Sequence, residues 1–218
     1  MTLSLSAQQT AFYAKNGFLE LEDLFSAVDC PQHLSSIQEA LSLRERTMET
    51  ASPFARGRDL WRDAAGLKAL LLSRKLSSLA LTVSAKPLLR LALDQWFEPG
   101  FALDGPKKLK DLFCIQGLSC AVFIQFSPGT VKLPTKMSPL GLPPFPHKQG
   151  SALFVIPKLL LNWPSLQPGM GLYLAAYALP ASVYVQNPSD PAGILLRQYG
   201  YGYGDPLRND THPLILKS

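Results

Sequence analysis

What most constrains the fold of this 218-residue chain is a change of hydrophobic rhythm at Pro87. Before it, apolar residues recur at the three- and four-residue spacing that gives a helix one buried stripe. After it come short β-branched and aromatic runs separated by Pro, Gly, Asn and Asp clusters, which read as strands. Helices first and strands afterwards imply an α+β protein, a β-sandwich or open barrel backed by helices. We expect one domain over residues 1–218, mainly helical in 1–86 and mainly β in 87–218. The 19 prolines cluster late, where they fit loops and strand ends rather than long helices.

Local signals fill in the pattern. Ser6 with Gln9 forms a capping box, and Asn16-Gly17 supplies the stop of a first helix. Residues 18–25 alternate as a strand entering a turn. A second helix is predicted from near Asp29 to about Glu49, with Pro31 in its first turn. Residues 58–85 predict two helices joined near Ser73-Arg74, burying Leu60, Trp61, Leu67, Leu70, Leu71, Leu76, Leu79 and Leu81. Strands are predicted over 88–97, 112–126, 151–156, 171–179, 181–186 and 193–203. Between them, the Pro-rich loop 127–150 is long enough to suggest a functional role.

Hydrophobic residues make up 47% of the chain, enough for a large core. The net charge is +5, and Lys107, Lys108 and Lys110 carry much of its visible clustering. No basic stripe or nucleic-acid module accompanies them, so a nucleic-acid partner is not expected. The run reads as a solvated edge or as a basic lip over an anionic ligand. From Leu112 to Ser189 there is no Asp or Glu at all, so a metal ligand or general acid must come from outside that stretch. Cys30, Cys114 and Cys120 make no disulfide or zinc pattern, which fits a reducing, cytoplasmic setting. The start has no basic n-region or apolar h-region, so a signal peptide is not expected. The longest uncharged stretch is broken by four prolines, which argues against a membrane helix.

Residues 5–25 resemble the opening of the phytanoyl-CoA dioxygenase family, a helix followed by an Asn-Gly-Phe-apolar strand. Gly150-Ser-Ala-Leu-Phe-Val-Ile-Pro157 is similar to that family's G-x-L-x-V-x-P strand. Gln167-Pro-Gly169, Asn187-Pro-Ser-Asp190 and the segment around Arg197 follow in the family's order. Uncharacterised bacterial proteins, chlamydial ones among them, look like degenerate members. The resemblance implies a double-stranded β-helix (jelly-roll, cupin-like) core with an N-terminal helical layer. It also implies Fe(II) and 2-oxoglutarate, held by a His-x-Asp pair, a distal histidine and an arginine. At the first pair stands Leu109-Lys110-Asp111, and leucine has no lone pair to donate. The distal position falls near Ser182, again without an imidazole. The arginine expected near Gly193 is represented by Arg197, displaced by ~13 Å if the segment is a strand. The chain's histidines are His33, His147 and His212 only.

The resulting expectation is a non-catalytic protein without cofactor, binding an unknown protein or small molecule through the old cleft or the Pro-rich loop. The competing expectation is an Fe(II)/2-oxoglutarate oxygenase or other metalloenzyme with atypical ligands drawn from Asp111, Asp205, Asp210 and His212. Arg197 is then the candidate cofactor-binding residue. Three further patterns read as structural. Tyr199-Gly-Tyr-Gly-Tyr-Gly204 lacks the context of a dinucleotide fingerprint and puts its tyrosines on one face of a strand. Cys114 and Cys120 share a face if their strand is unbroken, as inert thiols. Trp61, Trp96, Trp163, Phe97 and Phe101 either fill the core or line a pocket.

Overall fold

A computed structural model describes residues 4–101, 103–128, 143, 145–161, 163 and 171–216. Helix α1 (Ala7–Asn16) opens with Ser6 and Gln9 bonded reciprocally and ends at Gly17 in the left-handed conformation, φ 78°. Strand β1 (Phe18–Leu21) follows directly. Helix α2 (Asp29–Thr47), a single turn α3 (Pro53–Arg56) and a 3-10 turn at Leu60–Arg62 lead to α4 (Ala65–Leu71) and α5 (Arg74–Val83). Ser73 caps α5 by accepting from the Leu76 amide. All eight residues of the predicted apolar stripe are buried. No helix of the described residues is long and apolar enough to cross a membrane.

The second part is a mostly antiparallel β structure. It comprises β2 (Leu88–Phe97), β3 (Lys107–Lys108), a short α6 (Leu109–Leu112), β4 (Ile115–Ile124), β5 (Ala152–Val155), β6 (Leu160–Leu161), β7 (Leu172–Tyr184), α7 (Leu195–Gln198) and β8 (Leu214–Leu216). Six strands form one sheet in the order β1-β5-β4-β7-β2-β8, and β3 pairs with β6 in a small second sheet. Side chains alternate across the large sheet. Cys120, Val122, Ile124, Tyr173, Ala175 and Tyr177 pack against the helices. Ala121, Phe123, Leu172, Leu174, Ala176 and Ala178 face the second sheet. With both faces covered, these strands read as nearly continuous apolar runs.

Three details differ from the sequence reading. The two strands expected at 171–179 and 181–186 are one, β7, which passes through Pro180 at a break in register with β4. Proline has no amide to give the ladder and is tolerated at such a break. The strand expected at 193–203 is instead α7 followed by turns, with Gly200 and Gly204 at φ 78° and 91°. The tyrosines therefore do not share a face: Tyr201 is buried and Tyr203 exposed. Cys114 and Cys120 lie in the two different cores, because β4 shifts register around Gly117 and Ser119. Most of the predicted 127–150 loop lies outside the described residues.

One glycine of the resemblance has a clear physical requirement. Gly150 sits at φ +83°, and a Cβ there would lie 2.1 Å from the Phe25 carbonyl oxygen, which is backbone. Its amide donates to Gln125 and its carbonyl accepts from Phe25, joining the turn after β1 to the entry of β5. Gly150→Ala combines left-handed strain with a backbone clash. It is expected to cost about 2 kcal/mol, read as a lower urea midpoint with unchanged m-value.

Candidate functional site

Helices α2 and α3 set the first part of the site by fixing an awkward loop. Arg44 of α2 donates to the carbonyls of Arg56, Arg58 and Asp59 and to the Asp63 carboxylate. Those bonds hold Asp59 at φ 56°, in the left-handed region. The same loop sends Arg58 into the protein. Its guanidinium makes a two-pronged contact with Asp190 at 3.0 and 3.1 Å, and its Nε donates to Gln95 Oε1 at 2.9 Å. Phe113 and Phe54 lie against the guanidinium at 4.6 and 5.4 Å from their ring centroids. Asp190 also accepts from the amides of Cys114 and Ala192. Burial by itself would push the Arg58 pKa down, but the adjoining Asp190 carboxylate outweighs this and holds it up. The pair is therefore a buried, two-pronged hydrogen-bonded clamp.

On the helix side of β2, Asp94 is completely buried. Its Oδ2 accepts from the Tyr173 hydroxyl at 2.5 Å and the Trp61 amide at 3.3 Å. Its Oδ1 has no partner. Burial, and then the negative charge of Asp59, push the Asp94 carboxyl up to about 7. The two buried thiols are displaced the same way: burial raises Cys120 to about 12 and also raises Cys114, so neither is a nucleophile near neutrality.

The space between the two sheets is filled with aromatic side chains. Trp163 lies 5.2 Å from Phe97, 5.6 Å from Phe123 and 5.2 Å from Phe145, centroid to centroid. Phe101 packs 4.9 Å from Phe97. Leu109 belongs to this core and is fully buried. Ser182, at the distal ligand's expected position, is buried and donates its hydroxyl to the Gly117 carbonyl. Asp111 points outward, half-exposed, 3.7 Å from Lys110. This set does not fit Fe(II), which requires two imidazoles and a carboxylate converging on one point.

The remaining candidates lie apart from one another in their contacts. Asp205 is exposed and accepts from the Gly202 amide. Asp210 is exposed and pairs with Arg208 at 3.5 Å. Arg197 stands on α7 rather than on a strand, its guanidinium 4.7 Å from the Tyr203 ring centroid. His212 is fully buried. Because Arg62 can only donate, His212 Nε2 accepts from it at 3.3 Å. Nδ1 then carries the proton and donates to the Tyr201 oxygen, which also receives the Arg208 amide and donates to Thr211. Burial, with Arg62, Arg90 and Arg208 near, lowers His212 to about 4 and keeps it neutral. Among the described residues, no three His, Cys, Asp or Glu side chains gather where a metal ion could be held.

A cavity of about 780 Å³ lies outside the aromatic core, beside α6. Lys110, Asp111 and Phe113 form one wall, residues 115–119 of β4 the floor, and residues 156–158 and 185–187 the other sides. Its rim is braced by hydrogen bonds from the Lys110 amide to Pro157 and from the Asn187 side chain to the carbonyls of Asp111 and Phe113. Sequence reasoning noted Lys110 and Asp111 but missed Lys158 and the cavity. It also missed Arg58, Asp94 and Gln95, although a polar pair inside an otherwise apolar strand was a usable signal.

The fold, a large antiparallel sheet with a smaller one beside it and helices at the N-terminal side, is shared with several solved structures. One solved structure with this fold is the non-heme α-ketoglutarate-dependent carbocyclase SnoK from nogalamycin biosynthesis, with a TM-score of 0.72 and 15% identity over 97% of each chain. The epimerase SnoN of the same biosynthesis matches with a TM-score of 0.68 and 15% identity over 95% of this chain and 97% of that one. CT296 from Chlamydia trachomatis matches with a TM-score of 0.52 and 15% identity over 82% of this chain and 97% of CT296. No family profile matches the sequence, and no similar curated protein is found. At these identities the likeness is one of fold.

Proposed function

We propose that the protein is a non-catalytic binding protein, built on an oxygenase scaffold whose iron ligands have been lost. The observation that carries this reading is Leu109. At the place where the resemblance requires an imidazole, its side chain is fully buried among the aromatics between the sheets. Restoring a metal there means more than one substitution, because Phe97, Phe123, Phe145 and Trp163 occupy the interior in which substrate and cosubstrate would meet. A braced cavity of about 780 Å³ is present instead beside α6, within the ~300–1,000 Å³ common for small-molecule sites. Three free, buried cysteines support a reducing, cytoplasmic setting.

Elemental analysis of protein purified without chelators and then exposed anaerobically to Fe(II) tests the proposal. The expected content is far below one metal per chain, with a melting temperature indifferent to 2-oxoglutarate. A ligand specific for the native state must raise that temperature. Near-stoichiometric iron together with a 2-oxoglutarate-dependent rise of several degrees rejects the reading.

A further inference from the structure

We infer that the cavity beside α6 takes a small organic anion, its charged head held at Lys110 and Lys158 and its apolar body laid against the half-buried Leu118, Ile156 and Val185. The inference rests on the binding-protein reading and adds the chemical class of the ligand. Its first support is charge. Every lining residue from Phe113 to Asn187 comes from the stretch that contains no Asp or Glu, so Asp111 is the only carboxylate in the wall. That carboxylate sits 3.7 Å from Lys110, with both side chains about half exposed. No salt bridge of the described residues involves Lys158. The wall thus carries two ammonium groups against one carboxylate, and a second negative charge completes it.

The other support is the mixture of surfaces. Apolar side chains contribute from β4, the turn after β5 and the residue following β7, while Gln116, Ser119 and Gln186 add neutral donors and acceptors. Small-molecule sites have this composition, a mostly apolar lining with a few convergent polar groups. A bare inorganic anion leaves the apolar wall wet. A neutral apolar molecule leaves the lysines without a counter-charge. A carboxylate, sulfonate or phosphate ester on an apolar frame satisfies both. The hydrogen-bonded rim means that little loop ordering is required on binding, which favours affinity.

Calorimetric titration of the full chain at pH 7 and low salt with 2-naphthoate, neutral 2-naphthol and inorganic phosphate tests this. 2-Naphthoate is expected to bind at least about tenfold tighter than either of the others. The surface double variant Lys110→Gln/Lys158→Gln is expected to lose about tenfold in naphthoate affinity and to bind naphthol unchanged. Equal affinity for naphthoate and naphthol, no saturable naphthoate binding, or an unaffected double variant overturns the anion assignment. Phosphate binding as tight as naphthoate overturns the apolar half of it. None of these outcomes bears on metal content, so a failure here is separable from a failure of the binding-protein reading.

Discussion

Asp190→Ala is expected to lower the unfolding free energy by roughly 3–5 kcal/mol, because it strands a buried guanidinium without its counter-ion. Arg58 is fully enclosed, with Phe54 and Phe113 against it and Asp190 as its salt-bridge partner. The same substitution removes the acceptor of the Cys114 and Ala192 amides. Arg58→Met leaves the opposite problem, a buried carboxylate with no cation. The double variant Arg58→Met/Asp190→Ala is therefore expected to be clearly less destabilised than the sum of the single ones, the signature of a coupled pair. Urea unfolding of the four proteins provides the cycle. A cost below about 1 kcal/mol for Asp190→Ala shows that water reaches the pair, and the clamp is then not what joins these segments.

The second large effect is two opposite pH dependences in one molecule. Asp94 has a folded-state pKa of about 7 against an ordinary 3.8, so the native state holds a proton that the unfolded chain releases. Its contribution to stability is fully present below about pH 4 and is lost as pH rises toward 7, by about 4 kcal/mol in all. His212 is the mirror case, with a folded-state pKa of about 4 against 6.5. Its contribution is fully present above about pH 6.5 and is lost as pH falls toward 4, by about 3 kcal/mol. Across pH 4 to 6.5 the two slopes oppose each other at about 1.4 kcal/mol per unit. Relative to wild type, Asp94→Asn is expected to gain about 4 kcal/mol on going from pH 4 to pH 7. His212→Asn is expected to gain about 3 kcal/mol on the reverse journey. An Asp94→Asn curve parallel to wild type throughout this range would mean that the carboxyl is ionised in the fold.

How much of this was legible beforehand follows from the range of each interaction. The α1 cap, the helix junction near Ser73-Arg74 and the leucine stripe are written in neighbouring residues, so the helical layer was readable. The division at Pro87 and the strands β2, β4 and β5 were readable for the same reason. The Tyr-Gly run misled because alternation suggests a strand, whereas Gly200 and Gly204 use positive φ to turn the chain. The common face for Cys114 and Cys120 failed because a register shift cannot be seen in one strand alone. Arg58 left no mark at all. A single arginine after a loop looks solvated until the partner 132 positions away is placed beside it. Lys158 was likewise invisible, since the cavity it lines is assembled from three separated segments.

The sheet order carries a consequence for biosynthesis. β1 pairs with β5, and β2 with β8, so the first strand made has its neighbour some 130 residues later and the second waits for residues 214–216. During translation the α1–α5 layer leaves the ribosome with its apolar side facing a partner not yet made. Such distant pairings are slow to form, and the nascent intermediate is prone to aggregate. A shielding chaperone at that stage, rather than added stability in the finished molecule, is what should raise the yield of soluble protein.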